Sequence, residues 1–549
     1  MGRPKYRETG RGFLAALAAM AAALGLTAAL LWPMPMHPVD HMVAGFFHGG
    51  HVWCFSHMAD MIAGEAGWQT DHIGWPHPVQ LRFIAWAPAY LVAPLQDLLG
   101  PIGAYNIALL LSFPLAALAG MWLIRLTGVR PASAAAGGLV FAFSPVVLGF
   151  LAAGQTAKIQ HWTLAVALVA LVGAIRRWRW LPLVPMTGLL VGFTSPTFAM
   201  FLPLAAGLWT VWTVWTARRW LLPGLRAVLA LGLLAGALLW IRPHYDYSPG
   251  RGQRYAFAPS TAPPGTHADL LPQVARIDTM LVGSDVPRSA SGAGNQSVQV
   301  AYMGWPMLAA GGALSVTRFA GRGLGWGTLL TSAVLSLGPR LADADGFIQR
   351  ADGTELLLPG LLLAEGGYPI ARSGMYYRFL VLAGLGGGLL IAAGSGRRWW
   401  LAWLLAAGVI GDGLHETAEL WPRPSAPIPG RSTLEAMSQD DRPGAVLAFP
   451  LKVSDHGGGE QILLATLHDR PTNGLPRDMQ RQQSTLDALD WMAQAAASED
   501  GAAVLSEKGV RYVIWMSWLR PRRDDLSLSE VEAVLGPPQQ DGALLWWVL

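Results

Sequence analysis

Long apolar runs alternate with short polar joints along most of the chain. Behind a basic start carrying Arg3, Lys5, Arg7 and Arg11, the stretch from Gly12 to Trp32 is apolar for long enough to cross a bilayer core, which takes about 20 helical residues. Ten further runs follow, at Ala104 to Leu126, Ser133 to Ala152, His161 to Ile175, Leu181 to Phe193, Thr197 to Thr216, Leu221 to Ile241, Val300 to Val316, Leu324 to Leu337, Tyr376 to Gly394 and Trp399 to Ile410. The pattern predicts a mainly α protein, a polytopic transmembrane helical bundle of about eleven spans. The first run exceeds a signal-peptide core and lacks a clear small-residue cleavage site before Pro33. It is therefore expected to be a retained anchor with its N-terminus in the cytoplasm.

Arginine placement orients these spans. Arg125 and Arg130, then Arg176, Arg177 and Arg179, then Arg218 and Arg219, Arg318 and Arg322, and Arg397 and Arg398 recur at every second junction, which assigns those junctions to the cytoplasmic side. The alternation requires that the apolar stretch Phe83 to Leu99 does not cross. Pro88, Pro94, Gln96 and Asp97 within it favour a re-entrant or interfacial helix. The loops 33–103, 242–299 and 338–375 then lie outside the cytoplasm, as does everything after the last span. Lysine is scarce, at Lys5, Lys158, Lys452 and Lys508, while arginine is abundant, a bias that suggests a GC-rich bacterial genome, so the expected localisation is a bacterial cytoplasmic (inner) membrane.

The hydropathy pattern changes after residue 421. A proline-rich linker, 422–429, leads to 430–549, which reads as a small extracytoplasmic α/β domain. Strands are expected at Ala445 to Phe449, Arg511 to Met516 and Ala543 to Val548, and helices at Ser484 to Ala497 and Leu526 to Leu535. A further short helix is expected at Ala268 to Leu281 in the Gly- and Pro-rich loop 242–299.

Composition agrees with a lipid-solvated chain. Of 549 residues, 52% are hydrophobic and 13% charged, and the net charge of +4 is scattered over run ends, which argues against a nucleic-acid surface. The one cysteine, Cys54, rules out an internal disulfide and a cysteine-based zinc site. Few charges fall within the spans and no inverted repeat is evident, so a transporter is the weaker reading.

Candidate chemistry gathers in the stretch from Met34 to Gln80. It holds His37, His41, His48, His51, His57, His72 and His77 together with Asp40, Asp60, Glu65 and Asp71. Imidazoles of His37 and His41, or of His48 and His51, with Asp40 as oxygen ligand, would suit a divalent metal ion, with His41, His48 and His51 the foremost ligand candidates, although the spacing matches no established ligand motif; lipid headgroups or carbonyls are the alternative partners. Four basic residues stand against the positive-inside trend, on the expected outer side: Lys158, Arg242, Arg372 and Arg378. Such cations suit a phosphate, whereas Arg242 and Arg378 would equally serve as snorkelling helix-end anchors. The glycine groups Gly311-Gly312 and Gly386-Gly387-Gly388 read as close helix packing, because no strand precedes them.

Several short motifs resemble those of the GT-C superfamily of integral-membrane glycosyltransferases. They include His51-Val52-Trp53, Trp75-Pro76, Gly100 to Asn106, Phe141-Ala142-Phe143-Ser144-Pro145, Tyr302-Met303-Gly304, Tyr377 to Ala383, His468 to Gly474 and Gly509 to Val513. The resemblance implies a GT-C-like core that moves a sugar from a polyprenyl-phosphate donor to an extracytoplasmic glycan, lipid or protein acceptor in envelope assembly. It also implies an acidic residue in the first outer loop, acting as general base or holding a metal. Many relatives carry Gly-Asp just before the His-x-Trp position, where this chain has Gly49-Gly50. Asp40 is the first candidate for the displaced carboxylate and Asp71, beside His72, the second; a solvated loop acid is the plain alternative for Asp40. Loss of the Gly-Asp pair keeps open a second function, that of a non-catalytic protein binding lipid-linked glycans or scaffolding envelope assembly.

Overall fold

The computed structural model describes residues 5–43, 48–80, 86–152, 154–217, 221–241, 280, 302–315, 321–338, 341–343, 346–352, 355–360, 362, 376–423, 425–451, 458–474, 483–519 and 525–549. Helices dominate them. In chain order they are α1 (Lys5–Leu30), α2 (His48–Ala63), α3 (Trp86–Val92), α4 (Gln96–Arg125), α5 (Pro131–Ala142), α6 (Pro145–Ala152), α7 (Thr156–Ile159), α8 (Trp162–Arg176), α9 (Leu183–Thr194), α10 (Pro196–Trp215) and α11 (Leu221–Ile241). Then come α12 (Trp305–Leu314), α13 (Arg322–Ser336), α14 (Leu380–Gly394), α15 (Trp399–Glu416), α16 (Arg431–Ser438), α17 (Gly458–His468), α18 (Gln483–Ala497), α19 (Gly501–Glu507) and α20 (Leu528–Leu535).

A helix lies at each of the eleven apolar runs, but they differ in reach. Among the described residues five helices are long and apolar enough to cross a membrane, and a sixth crossing results if α5 and α6, bent by 45° at their junction, are taken together. The helices α9, α12, α13 and α14 have 10 to 15 residues each, short of the roughly 20 that a straight crossing takes. The stretch expected not to cross begins, in its described part, with the seven-residue α3 and a 3-10 turn at Ala93–Leu95 that run on into α4, and Trp86–Arg125 counts as one 40-residue candidate among the five. Gly100, at φ 68°, then breaks the line of α4, a left-handed conformation that favours glycine.

Small residues bring the central helices together. Helix α5 packs on α4 and on α14, which in turn packs on α13. A β-carbon placed on Gly137 of α5 would stand 2.5 Å from the carbonyl oxygen of Gly388 on α14, and one on Gly386 would stand 2.6 Å from the backbone nitrogen of Leu329 on α13. Backbone-to-backbone approach of this kind is how membrane helices gain dispersion energy without a hydrophobic driving force. The glycine triplet of α14 is therefore a packing feature, as its lack of a preceding strand predicts.

Past α15 the chain builds a four-stranded sheet from β7 (Ala445–Phe449), β8 (Val510–Met516), β9 (Gln539–Asp541) and β10 (Leu544–Val548), in the order β7-β8-β10-β9. The pair β7 and β8 is parallel, and the other pairs are antiparallel. Successive strand residues face opposite ways. Leu447, Phe449, Val513, Trp515, Leu545 and Trp547 pack with residues of α18, α19 and α20, while Val446, Ala448, Tyr512, Ile514 and Leu544 join the core that continues through α16 and α17 into the membrane helices.

Earlier strands stitch the first polar stretch to this end of the chain. Strand β1 (His41–Val43) pairs antiparallel with β6 (Ser425–Pro427), so part of the expected linker is paired backbone. Strand β2 (Gln69–Thr70) pairs with β3 (Val79–Gln80), and Ile73 and Val446 each bridge in parallel to Thr472. The amides of Gly74 and Trp75 donate to the carbonyls of Gly474 and Thr472 at 2.9 and 3.0 Å. A final small hairpin, β4 (Ala342–Asp343) with β5 (Gly346–Phe347), lies in the stretch 338–375. The loop 242–299, with its expected helix at Ala268 to Leu281, lies outside the described residues apart from Met280.

Candidate functional site

Two cations meet inside the helical bundle. Ser195 precedes Pro196, whose fixed φ suits the first position of a helix, so Ser195 and Thr197 flank the start of the 20-residue α10. The Lys158 ammonium donates to Ser195 Oγ at 2.7 Å and to Thr197 Oγ1 at 2.6 Å, and it lies 5.9 Å above the ring of Phe198. Arg378, on the 3-10 turn Tyr376–Phe379, donates to the same Thr197 oxygen at 3.2 Å and to Gln155 Oε1 at 3.4 Å. Lys158 is 8% exposed. Neither of its hydrogen-bond acceptors is a carboxylate, and a second cation shares its Thr197 partner.

Burying a cation among apolar side chains is costly unless an anion or several dipoles compensate it. Here hydroxyls, an amide oxygen and the Phe198 ring face provide partial compensation. The nearby start of α10 adds positive potential, because the first amides of a helix lack intrahelical partners. The arrangement thus gathers basic and hydroxyl groups beside a helix start, a chemistry that suits a phosphate group.

A chain of neutral polar groups leads away from this pair. Thr156 follows Gln155, and its Oγ1 lies 2.6 Å from the Tyr105 hydroxyl of α4, which in turn hydrogen-bonds His48 Nδ1 at the start of α2. All three residues are buried, and the Phe55 ring meets Tyr105 edge-on at 5.2 Å. Burial, joined by the charges of His51 and Arg423, pushes the His48 imidazole down to about 3, so it is neutral at ordinary pH.

The acid candidates stand elsewhere. Asp40 is 58% exposed in its side chain and forms an ion pair at 3.0 Å with Arg431 of α16, which also donates to the Val39 carbonyl at 2.9 Å. Asp71 is exposed, in a turn before His72, whose Nδ1 lies 3.8 Å from Asp469. His41 stacks on His37 at 4.5 Å, while Asn106 donates to the carbonyls of Pro38 and His41. His51 lies one turn along α2 from His48. Among the described residues no group of three or more His, Cys, Asp and Glu side chains converges as a metal site.

Of the four expected phosphate residues, the fold brings Lys158 and Arg378 together. Arg242 and Arg372 lie outside the described residues. Gln155, Thr156, Ser195 and Thr197 were given no role in the sequence, and Tyr105 was read only within the motif Gly100 to Asn106. Their signal was a set of hydroxyl and amide residues at the joints of apolar runs, each unremarkable until the joints are placed side by side.

No family model and no curated protein matches the sequence. Among solved structures, the mycobacterial arabinofuranosyltransferase AftD superposes over 97% of this chain with a TM-score of 0.50 at 16% identity. The fold is GT-C-like. The GT-C-like chain spans 41% of the length of AftD. The oligosaccharyltransferase of Archaeoglobus fulgidus, determined with zinc and sulfate, matches 90% of this chain and 67% of its own at a TM-score of 0.46 and 12% identity. ArnT of Cupriavidus metallidurans, bound to undecaprenyl phosphate, matches 97% of each chain at a TM-score of 0.37 and 12% identity.

Proposed function

We propose that the protein is a membrane glycosyltransferase that moves a sugar from a polyprenyl-phosphate carrier to an acceptor in envelope glycan or glycolipid assembly. The observation that carries this reading is the buried meeting of Lys158 and Arg378 on Thr197, a seat suited to the phosphate of the donor. As the anomeric carbon leaves the phosphate, negative charge grows on the departing oxygen. Two fixed cations in a medium of low dielectric stabilise that charge with little reorganisation. The acceptor hydroxyl forms the new bond to the anomeric carbon and gives its proton to a general base, for which Asp40 remains the first candidate and Asp71 the second.

On this reading the eleven apolar runs are spans or half-spans of a bacterial inner-membrane protein. Its N-terminus is cytoplasmic, and 430–549 forms an extracytoplasmic α/β domain. A reporter fused after Leu549 should be active only outside the cytoplasm, and a cytoplasmic signal would invert the topology.

The direct test is release of polyprenyl phosphate from a panel of polyprenyl-phosphate sugars by the purified protein. Lys158→Gln and Arg378→Gln should each lower release at least tenfold. Asp40→Asn should abolish it with expression intact, and unchanged turnover would remove Asp40 from the chemistry. One observation favours a second reading: Asp40 is engaged with Arg431, and Gly49-Gly50 occupies the place of the Gly-Asp pair. Saturable polyprenyl-phosphate binding that depends on Lys158, with no release from any donor, would make this a binding protein that keeps the fold without the reaction.

A further inference from the structure

A small cavity opens at the far end of α10 from the cation pair. It measures about 170 Å³ and is lined by Ile175 and Arg176 at the end of α8, by Thr213, Thr216 and Ala217 at the end of α10, and by Pro223 in the first turn of α11. At 1.5 Å of rise per residue, the helix between Thr197 and this cavity is about 25 Å long. The three elements that meet here are ends of helices long and apolar enough to cross a membrane, so the cavity lies at the depth of lipid headgroups.

The charge around it has one sign. Arg176 is exposed, and its Nη2 donates to the carbonyl of Leu126, at the end of α4, at 2.7 Å. That bond takes one of the five N–H donors of a guanidinium. Arg226 of α11 donates to the Arg176 carbonyl at 2.7 Å and lies 5.2 Å above the Trp178 ring, so both arginines sit on helix carbonyl ends and offset the negative potential there. Arg177 and Arg179 follow directly. From Leu98 to Tyr245 the chain has no Asp or Glu, and among the described residues neither Arg176 nor Arg226 has a carboxylate partner.

Size and apolar surroundings complete the match. The cavity has room for about six waters at about 30 Å³ each, enough for a phosphodiester and a small headgroup but not for acyl chains. Thr213 and Thr216 donate their hydroxyl protons to the carbonyls of Trp209 and Trp212, which leaves Arg176 as the lining side chain able to donate to an anion. On the turns that line the cavity, Val211 and Trp215 of α10 and Leu221 and Leu225 of α11 are exposed, an apolar surface beside a basic cavity. We propose that this cavity binds the phosphate of an anionic glycerophospholipid on Arg176, with the acyl chains along the exposed faces of α10 and α11. On the topology proposed above, the lipid belongs to the cytoplasmic leaflet, across the membrane from the donor phosphate. The site needs neither sugar donor nor turnover.

The test uses the full-length protein in nanodiscs of phosphatidylcholine containing one tenth phosphatidylglycerol. The lipids that stay bound after detergent extraction are then quantified by mass spectrometry. Wild type should retain phosphatidylglycerol several-fold above its share of the bilayer. Arg176→Gln should lower that enrichment at least threefold, and so should Ala217→Phe, whose ring fills the cavity without a change of charge. Arg179→Gln removes an equal charge from the same end of the bundle, outside the cavity, and should leave the enrichment unchanged. No enrichment in wild type, equal enrichment in wild type and Arg176→Gln, or an equal loss in Arg176→Gln and Arg179→Gln overturns the proposal, the last because diffuse charge then accounts for the binding. Should Arg176→Gln fail to fold, Ala217→Phe against Arg179→Gln decides: loss in the first alone supports the site, and any other result overturns it. With polyprenyl phosphate added to the same nanodiscs, its retention should follow Lys158 and not Arg176, which separates failure of this site from failure of the transferase reading.

Discussion

Gly137→Ala tests the central packing most directly. The added methyl would stand 2.5 Å from the Gly388 carbonyl oxygen, 2.8 Å from Ile124 Cδ1 and 3.0 Å from Ala392 Cβ, against an ordinary contact beginning at 3.4 Å. The backbone oxygen can retreat only if α5 and α14 move apart by about 1 Å, which breaks other contacts along the same seam. Overpacking of this kind costs about 2 kcal/mol, while alanine regains about 1 kcal/mol of helix propensity over glycine, so the net loss is about 1 kcal/mol. Gly232→Ala in α11 is the matched control, because nothing lies within 4 Å of its added methyl. It should gain about 1 kcal/mol, leaving the two variants roughly 2 kcal/mol apart. Unfolding in mixed micelles against the mole fraction of sodium dodecyl sulfate, followed by tryptophan fluorescence, reads the difference. Equal midpoints for the two variants, or a gain for Gly137→Ala, would refute the argument that α5 and α14 touch through their backbones.

Tyr105→Phe removes the hydroxyl that links His48 to Thr156 and leaves both without it in a buried place; it should cost about 2 kcal/mol in the same assay. The Asp440 carboxyl is held well below the usual carboxylate range by hydrogen bonds from Arg442 and then Tyr512. A lowered native value stabilises the fold above the ordinary carboxylate pKa and loses that effect as pH falls through the native value, so the stability gap between wild type and Asp440→Asn should be constant from neutrality to about pH 5 and shrink below about pH 4. A gap that widens on acidification would contradict the sign. Ser527→Ala removes the capping box with Glu530 at the start of α20, and thermal unfolding should show a loss of about 1 kcal/mol.

The helical elements were legible because an apolar run in a lipid-solvated chain admits few other structures. The strands at Ala445 to Phe449 and near Val510 to Met516 were legible because β-branched and aromatic residues cluster between turn signals. Lys158 and Arg378 stood out by violating a charge rule, and they proved to share one hydroxyl although they lie 220 positions apart in sequence (378 − 158). What stayed hidden was everything set by long-range pairing. Thr197 and Gln155 carry no signal of their own, and the partner of Asp40, Arg431, lies in a helix that the sequence reading did not anticipate. Strand β6 was concealed by Pro427 and the prolines that flank it, which suit a short two-stranded pair as well as a linker.

The pairing of the first polar stretch with residues near the end of the chain bears on how the protein is made. Arg431 and Val39 are joined across 392 residues, and Ile73 meets its partner Thr472 from a comparable distance. During synthesis the stretch after α1 is complete long before the ribosome reaches either partner. It must therefore wait, unpaired, while the intervening membrane helices are inserted one after another. His48 and Tyr105 can associate early, but the wall of Asp40, Ile73 and Trp75 closes last. A nascent chain stalled before residue 431 would carry its helices in place and an unfastened loop, and protease sensitivity of 64–80 would mark the moment at which synthesis turns a bundle into a finished protein.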